Sequence, residues 1–159
     1  MTTGSERPDS SLNLRAAEAS DAAAFASCVE AAYQHYIARM GKPPGPMLDD
    51  YVKVIREHLA YVAETDGVIA GILVLVRTQS GMLLDNVAVH PQHQGKGYGR
   101  RLLEYAESEA RGRGHAHLDL YTHECMTENI EMYRRIGYVE TERKSERGYS
   151  RVYMRKALS

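Results

Sequence analysis

Three things are scarce in this sequence: cysteine, surplus charge and long apolar runs. Two cysteines, Cys28 and Cys125, are too few for a disulfide framework or a four-ligand metal site and read as plain reduced thiols, buried or half-buried. Lys and Arg number 20 against 21 Asp and Glu, a formal charge of −1. That argues against a general nucleic-acid binder, which needs a strongly basic surface. No apolar stretch approaches the roughly 18–20 residues that cross a bilayer. The longest, Val68 to Val76, reads as a strand. Room for a second core is missing too, because 159 residues match one ordinary domain of roughly 100–150 residues. Met1 to Ser11 lacks the cationic start and apolar stretch of a secretory leader, so the expectation is a cytoplasmic chain with no membrane partner. It would have a loose, flexible tail over 1–11 and a single domain over 12–159.

What is present is an ordered change of periodicity along the chain. Leu12-Asn13-Leu14-Arg15 alternates as a short strand does, and Ser20-Asp21 can cap a helix running to about Tyr36. Met40 to Pro46 holds three prolines and two glycines and must be a surface loop. A short helix from Asp49-Asp50 to about His58 follows. Tyr61–Glu64, Val68–Arg77 and Met82–Val89, separated by Asp66-Gly67 and Ser80-Gly81, predict an antiparallel meander. After Gly99 the spacing of Leu102, Leu103, Ala106 and Ala110 is helical, ending at Arg111-Gly112. His115–Tyr121 is a further strand, and Thr127 can cap a helix carrying Ile130, Tyr133 and Ile136. Strands near Tyr138–Arg143 and Tyr149–Leu158 close the chain. The fold class is α/β in the α+β sense: a mixed, mostly antiparallel central sheet of about seven strands flanked by helices.

The stretch that carries chemistry runs from Val87 to Leu103, where a strand enters a glycine-rich loop that opens a helix. Gly95, Gly97 and Gly99 let backbone N–H groups converge, and the helix N-terminus adds partial positive charge, which suits a phosphate or pyrophosphate. A Walker A loop fails, because Gly97 stands where Ser or Thr is required. The dinucleotide fingerprint fails because Arg100 and Leu102 occupy its third glycine position in either register.

What remains is Gln-x-x-Gly-x-Gly at Gln94 to Gly99, preceded by Val87-Ala88-Val89-His90-Pro91. Together with Leu14-Arg15-Ala16-Ala17 before an aspartate-led helix and Glu128-Asn129-Ile130-Glu131-Met132-Tyr133 near the end, the chain resembles the GNAT superfamily of acyl-CoA-dependent N-acyltransferases. The likeness extends over nearly the whole chain. It implies that the backbone of Val87, Ala88 and Val89 pairs with the pantetheine arm of acetyl-CoA like an added strand, and that amides from Gln94 through Gly95, Lys96, Gly97, Tyr98, Gly99 and Arg100 cradle the pyrophosphate. An extended amide-bearing ligand and an anion are the groups such a strand and loop satisfy. Lys96 is open between a phosphate contact and a solvated loop lysine.

Asn129 and Tyr133 are four residues apart and share a helix face. From spacing alone Tyr133 is a core residue in a row with Ile130 and Ile136; the resemblance implies that it protonates the leaving thiolate and that Asn129 contacts the cofactor arm. The implied reaction is direct acetyl transfer to a primary amine by an N-acetyltransferase, with no covalent enzyme intermediate. Alternatives are a silent acyl-CoA-binding or regulatory module, or acetylation of a protein amine or other macromolecule. Asp85 lies in an apolar strand two residues before Val87 and by regular alternation shares its face. It is either the base that deprotonates the amine or part of a hydrogen-bonded Asp85-Asn86 pair at a bulge. His123 is the runner-up base.

Tyr36, Asp49 and Asp50 flank the proline-rich loop and are candidates for binding a cationic acceptor, small molecule or peptide. The two carboxylates are equally placed to start the next helix. His90-x-x-His93 and His115-x-His117 lack a second ligand pair, so no metal is expected. A homodimer could form through the final strand, Tyr149 to Met154, if it lies at a sheet edge. Charge is unevenly placed: residues 1–90 carry 7 Lys and Arg against 11 Asp and Glu, and residues 91–159 carry 13 against 10. The basic part begins at the anion loop.

Overall fold

The computed structural model describes residues 12–159; the tail expected over residues 1–11 lies outside them. Seven strands form one sheet: β1 (Asn13–Ala16), β2 (Leu59–Thr65), β3 (Val68–Thr78), β4 (Gly81–Val89), β5 (His117–His123), β6 (Val139–Glu146) and β7 (Tyr149–Ala157), in the order β1-β2-β3-β4-β5-β7-β6. Tight turns join β2, β3 and β4 antiparallel, and the β4–β5 pair alone is parallel. The helices are α1 (Ala22–Tyr33), α2 (Tyr36–Met40), α3 (Tyr51–Glu57), α4 (Tyr98–Gly112) and α5 (Thr127–Arg135). The mixed, mostly antiparallel sheet agrees with the pattern in the sequence.

Both faces of the central strands are buried, which is why β3 is an almost unbroken apolar run. Ile72 and Val74 pack towards α1 and α3 with Phe25, Val29 and Tyr51. Leu73 and Leu75 pack towards α4 and α5 with Leu102, Leu103, Ile130 and Tyr133. Helix α4 buries the predicted stripe of Leu102, Leu103, Ala106 and Ala110, and also Glu107, whose carboxylate holds the Lys156 ammonium at 3.0 Å. Gly71 admits α4 to the sheet. A Cβ there would stand 2.9 Å from Leu102 Cδ1 and 3.1 Å from the Ala88 carbonyl oxygen, closer than packed atoms tolerate.

Four local expectations change. The first helix is divided into α1 and α2, and Asp21 does not cap α1 through its side chain. Its carboxylate accepts from the Glu18 N–H at 2.7 Å and from the Arg15 guanidinium at 2.9 and 3.1 Å, which lowers its pKa and ties β1 to the start of α1. Thr127 is the first residue of α5 rather than its cap, which is Met126. Asp50 caps α3, accepting from the Val52 and Lys53 N–H groups, as the helix-start reading of that pair expects, and not the acceptor-binding one. Finally, β7 lies between β5 and β6, so the final strand has no free edge and the basis for pairing through it disappears. The edge strand β6 carries Glu140, Glu142, Arg143, Lys144 and Glu146, charges that discourage strand addition.

Candidate active site

The site begins with an irregularity in β4. Val74 pairs with Asn86 and the next residue, Leu75, pairs with Leu84, so Asp85 is the extra residue of a β-bulge. On the other side, β4 meets β5 only at Leu83↔Asp119 and Leu84↔Leu120. Past the bulge the two parallel strands separate and leave a gap.

Backbone polarity in that gap follows from one hydrogen bond. The His90 N–H donates to the Ala70 carbonyl at 2.8 Å, so alternation directs the Ala88 backbone groups towards β3 and those of Val87 and Val89 into the gap. The Val87 carbonyl accepts from the Tyr33 hydroxyl at 3.1 Å, and the Val89 carbonyl accepts from the Gln94 side-chain amide at 3.1 Å. The acceptors are thus held from within, and the two N–H groups face the gap as donors.

The loop after β4 supplies more donors. Gly95 and Gly97 have φ of +84° and +81°, values that other residues adopt at a cost of about 1–2 kcal/mol. A Cβ at either position would meet nothing within 4 Å, so backbone conformation, not space, requires glycine there. The Arg101 N–H to Gly97 carbonyl bond at 3.1 Å starts α4, and the N–H groups ahead of it have no helical acceptor. They border a cleft of about 810 Å³ between Val87, Val89 and the loop on one side and Asn129, Met132 and Tyr133 on the other. Strand donors, an amide cradle and a helix N-terminus are the donor set an extended amide with a pyrophosphate fits.

A second, narrower cavity opens on the other side of the junction. Asp85, Tyr121 and Arg151 form one wall, and Met40 with Pro44 to Pro46 lies over it. The cleft and this cavity share three lining residues: Val87, Asn129 and Tyr133. Tyr133 is 6 % exposed, and its burial pushes the hydroxyl well above the ordinary phenol value. The ring meets Tyr138 edge-on at 5.8 Å. A neutral phenol held where two cavities meet is a proton donor in a position to serve both.

Asp85 is not where regular alternation would put it. The bulge turns its carboxylate to the Tyr121 hydroxyl, which donates at 2.9 Å, while Val87 and Val89 pack against the α4 core. Burial and the Asp85 charge together push the Tyr121 hydroxyl up. Asp49 is exposed and does not line the cavity; desolvation followed by the nearby Asp85 charge raises its pKa. Asp50 is engaged as a helix cap, and Tyr36 is buried against Tyr33 and His35 beneath the Arg39 guanidinium; neither lines the cavity. Lys96 is exposed, and Arg100, also exposed, borders a groove along α4. His123 lines the cavity with both ring nitrogens facing backbone donors: the Cys125 N–H at 3.1 Å and the Ser150 N–H at 3.3 Å. A neutral imidazole accepts at one nitrogen only, so at most one of these contacts is a hydrogen bond, and burial lowers the pKa, which leaves the ring poorly suited as the base.

Sequence reasoning missed Tyr121, Tyr149 and Arg151. Their odd spacing from the buried residues of β5 and β7, which sets them on the opposite face, was visible, but which strands lie beside β4 was not.

The GNAT acetyltransferase domain profile matches residues 56–140, which span the meander, the glycine loop, α4, β5 and α5. The chain belongs to the GNAT acetyltransferase family. A 57-residue stretch is 39% identical to streptothricin acetyltransferase of Streptomyces lavendulae, covering 36% of this chain and 30% of that protein. The chain therefore matches under a third of its curated relative's length. The GNAT fold is shared with the ribosomal-protein-S18-alanine N-acetyltransferase of Escherichia coli (TM-score 0.74, 21% identity, 93% of this chain and 94% of that one). It is shared also with the PaiA N-acetyltransferase of Thermoplasma acidophilum, solved with coenzyme A (TM-score 0.75, 18% identity, 92% and 99%). No helix among the described residues is long and apolar enough to cross a membrane.

Proposed function

We propose that this GNAT domain transfers an acetyl group from acetyl-CoA directly to a primary amine. The observation that carries the reading is the junction itself: a cleft with strand and loop donors meets a cavity lined by the Asp85 carboxylate at Val87, Asn129 and Tyr133. When bound, acetyl-CoA supplies an activated acetyl group and a thiolate leaving group. The Gly95–Arg100 amides and the start of α4 hold its pyrophosphate, and the Val89 N–H and Asn129 orient the arm. The Val87 N–H donates where negative charge grows on the carbonyl oxygen, a contribution worth about 3–4 kcal/mol in comparable sites.

Three proton transfers balance the reaction. An ammonium has no lone pair to attack with, so Asp85 takes a first proton from the acceptor while Tyr121 holds the carboxylate in place. Tyr133 keeps its proton at neutral pH and gives it to the departing sulfur, and the second nitrogen proton, shed as the tetrahedral adduct collapses to the amide, returns to the Tyr133 phenolate. The test is thiol release from acetyl-CoA across a panel of amines. Acceptor-dependent release supports the transferase; tight CoA binding with no release above the amine-free rate would contradict it and favour a binding module.

A further inference from the structure

Residues 36–46, comprising α2 and the proline-rich loop, cross above the acceptor cavity and are fastened at three places. At one end the Arg39 guanidinium is bidentate to Glu128 at 2.7 and 2.9 Å and donates to the Cys125 carbonyl at 3.0 Å. In the middle the Lys42 ammonium donates to the Gly148 carbonyl and lies 4.1 Å from the centre of the Tyr149 ring, while the Tyr149 hydroxyl donates to the Pro43 carbonyl at 2.7 Å. At the far end the Tyr51 hydroxyl donates to the Pro46 carbonyl. The partners belong to the start of α5, the β6–β7 turn and α3, so the segment bridges both sides of the sheet opening. Pro43, Pro44 and Pro46 restrict its backbone. The turn is shaped to receive it. Gly148 has φ +82°, and a Cβ there would stand 2.8 Å from the Lys42 nitrogen.

We propose that residues 36–46 form a latched roof that admits a small primary amine to the acceptor cavity and excludes the amine of a peptide or protein chain. The inference rests on the transferase reading and names its substrate class. The cavity beneath has only about 50 Å³ of room, a few waters' worth and well below the roughly 300–1,000 Å³ of drug-sized ligand sites, which suits the head of a slender amine and not a polypeptide. An amine on a polypeptide must bring its neighbouring backbone to the Val87–Tyr133 junction, and that backbone needs partners for its N–H and C=O groups. The Val87 and Val89 carbonyls that a peptide N–H would need are held by Tyr33 and Gln94, and on the transferase reading their N–H groups are taken by the cofactor. The acidic wall at Asp85 favours an acceptor that arrives as an ammonium. Arg151, beside it, is paired with Glu146 at 3.1 Å.

The experiment compares kcat/KM for thiol release by the full chain with lysine amide, tyramine and spermidine, and with ten-residue peptides bearing either a free N-terminus or one internal lysine. CoA affinity is measured in parallel. The expected result is at least a 50-fold preference for one of the small amines, with Lys42→Ala narrowing it at least fivefold by raising the peptide rate. Gly148→Ala, which displaces the same ammonium, provides a second opening variant if Lys42→Ala loses CoA binding. Peptide rates within threefold of the best small amine would overturn the proposal, as would a preference unchanged in both folded variants. Silence from every acceptor with CoA bound would overturn the transferase reading itself, a distinguishable failure.

Discussion

The Tyr33 hydroxyl donates at once to the Asn86 side-chain oxygen at 2.8 Å and to the Val87 carbonyl at 3.1 Å. Helix α1 thereby holds the bulged strand at the point where the cleft meets the cavity. The Asn86 amide continues the chain to the Tyr51 hydroxyl at 3.1 Å, so α1, α3 and β4 are joined through buried polar groups. Tyr33→Phe removes the donor and leaves both oxygens short of a partner. The expected cost is about 1–3 kcal/mol in stability, read by urea unfolding. A fall in kcat of about tenfold or more should accompany it, since positioning errors at a reacting centre are amplified in rate.

The glycine loop makes a separate claim on binding. Gly97→Ala forces a Cβ onto a residue at φ +81°, and relaxation of about 1–2 kcal/mol rotates the donors ahead of α4. CoA affinity measured by calorimetry should fall roughly 5–30-fold, the factor that energy represents, whereas Lys96→Ala, at an exposed position, should change it far less.

How much of this was legible beforehand follows the range of the interactions. The loop and α4 could be read because glycine spacing and helical periodicity are local. The face of Asp85 stayed open between regular alternation and a bulge, because a bulge is set by the register with β3, which one strand does not reveal. Asp49-Asp50 held two readings, and the Val52 and Lys53 N–H groups decided for capping at Asp50. The interior position of β7 and the roof over the cavity escaped for the same reason. Each depends on partners remote in the chain, such as Lys42 and Gly148, which no short pattern brings together.

Alkaline titration provides a physical check on the buried tyrosines. Burial raises the hydroxyl pKa of Tyr33, Tyr51, Tyr121 and Tyr133 in the folded protein, above the value of about 10 that they have when unfolded. Their contribution to stability is therefore complete below about pH 10 and is lost as pH rises through the folded values. Absorbance at 295 nm should rise in two phases, the first near pH 10 from exposed tyrosines and the second together with loss of helical circular dichroism. A single phase with structure intact would contradict the burial.

The wall residues separate proton removal from positioning. Asp85→Asn keeps the shape and removes the base, so kcat/KM should fall about 10²–10⁴-fold. Tyr121→Phe leaves the carboxylate and removes the donor at 2.9 Å, and the loss should be nearer tenfold. Equal, small losses from both would assign Asp85 to structure.

The most direct test of transfer at the junction is Tyr133→Phe, with acceptor-dependent thiol release and CoA affinity measured on the same preparation. The phenol donates the proton while other groups hold the cofactor, so kcat should fall about 10²-fold or more, with the CoA dissociation constant within about threefold of the parent. An unchanged kcat would contradict the assignment of Tyr133 as the acid at the meeting of the two cavities.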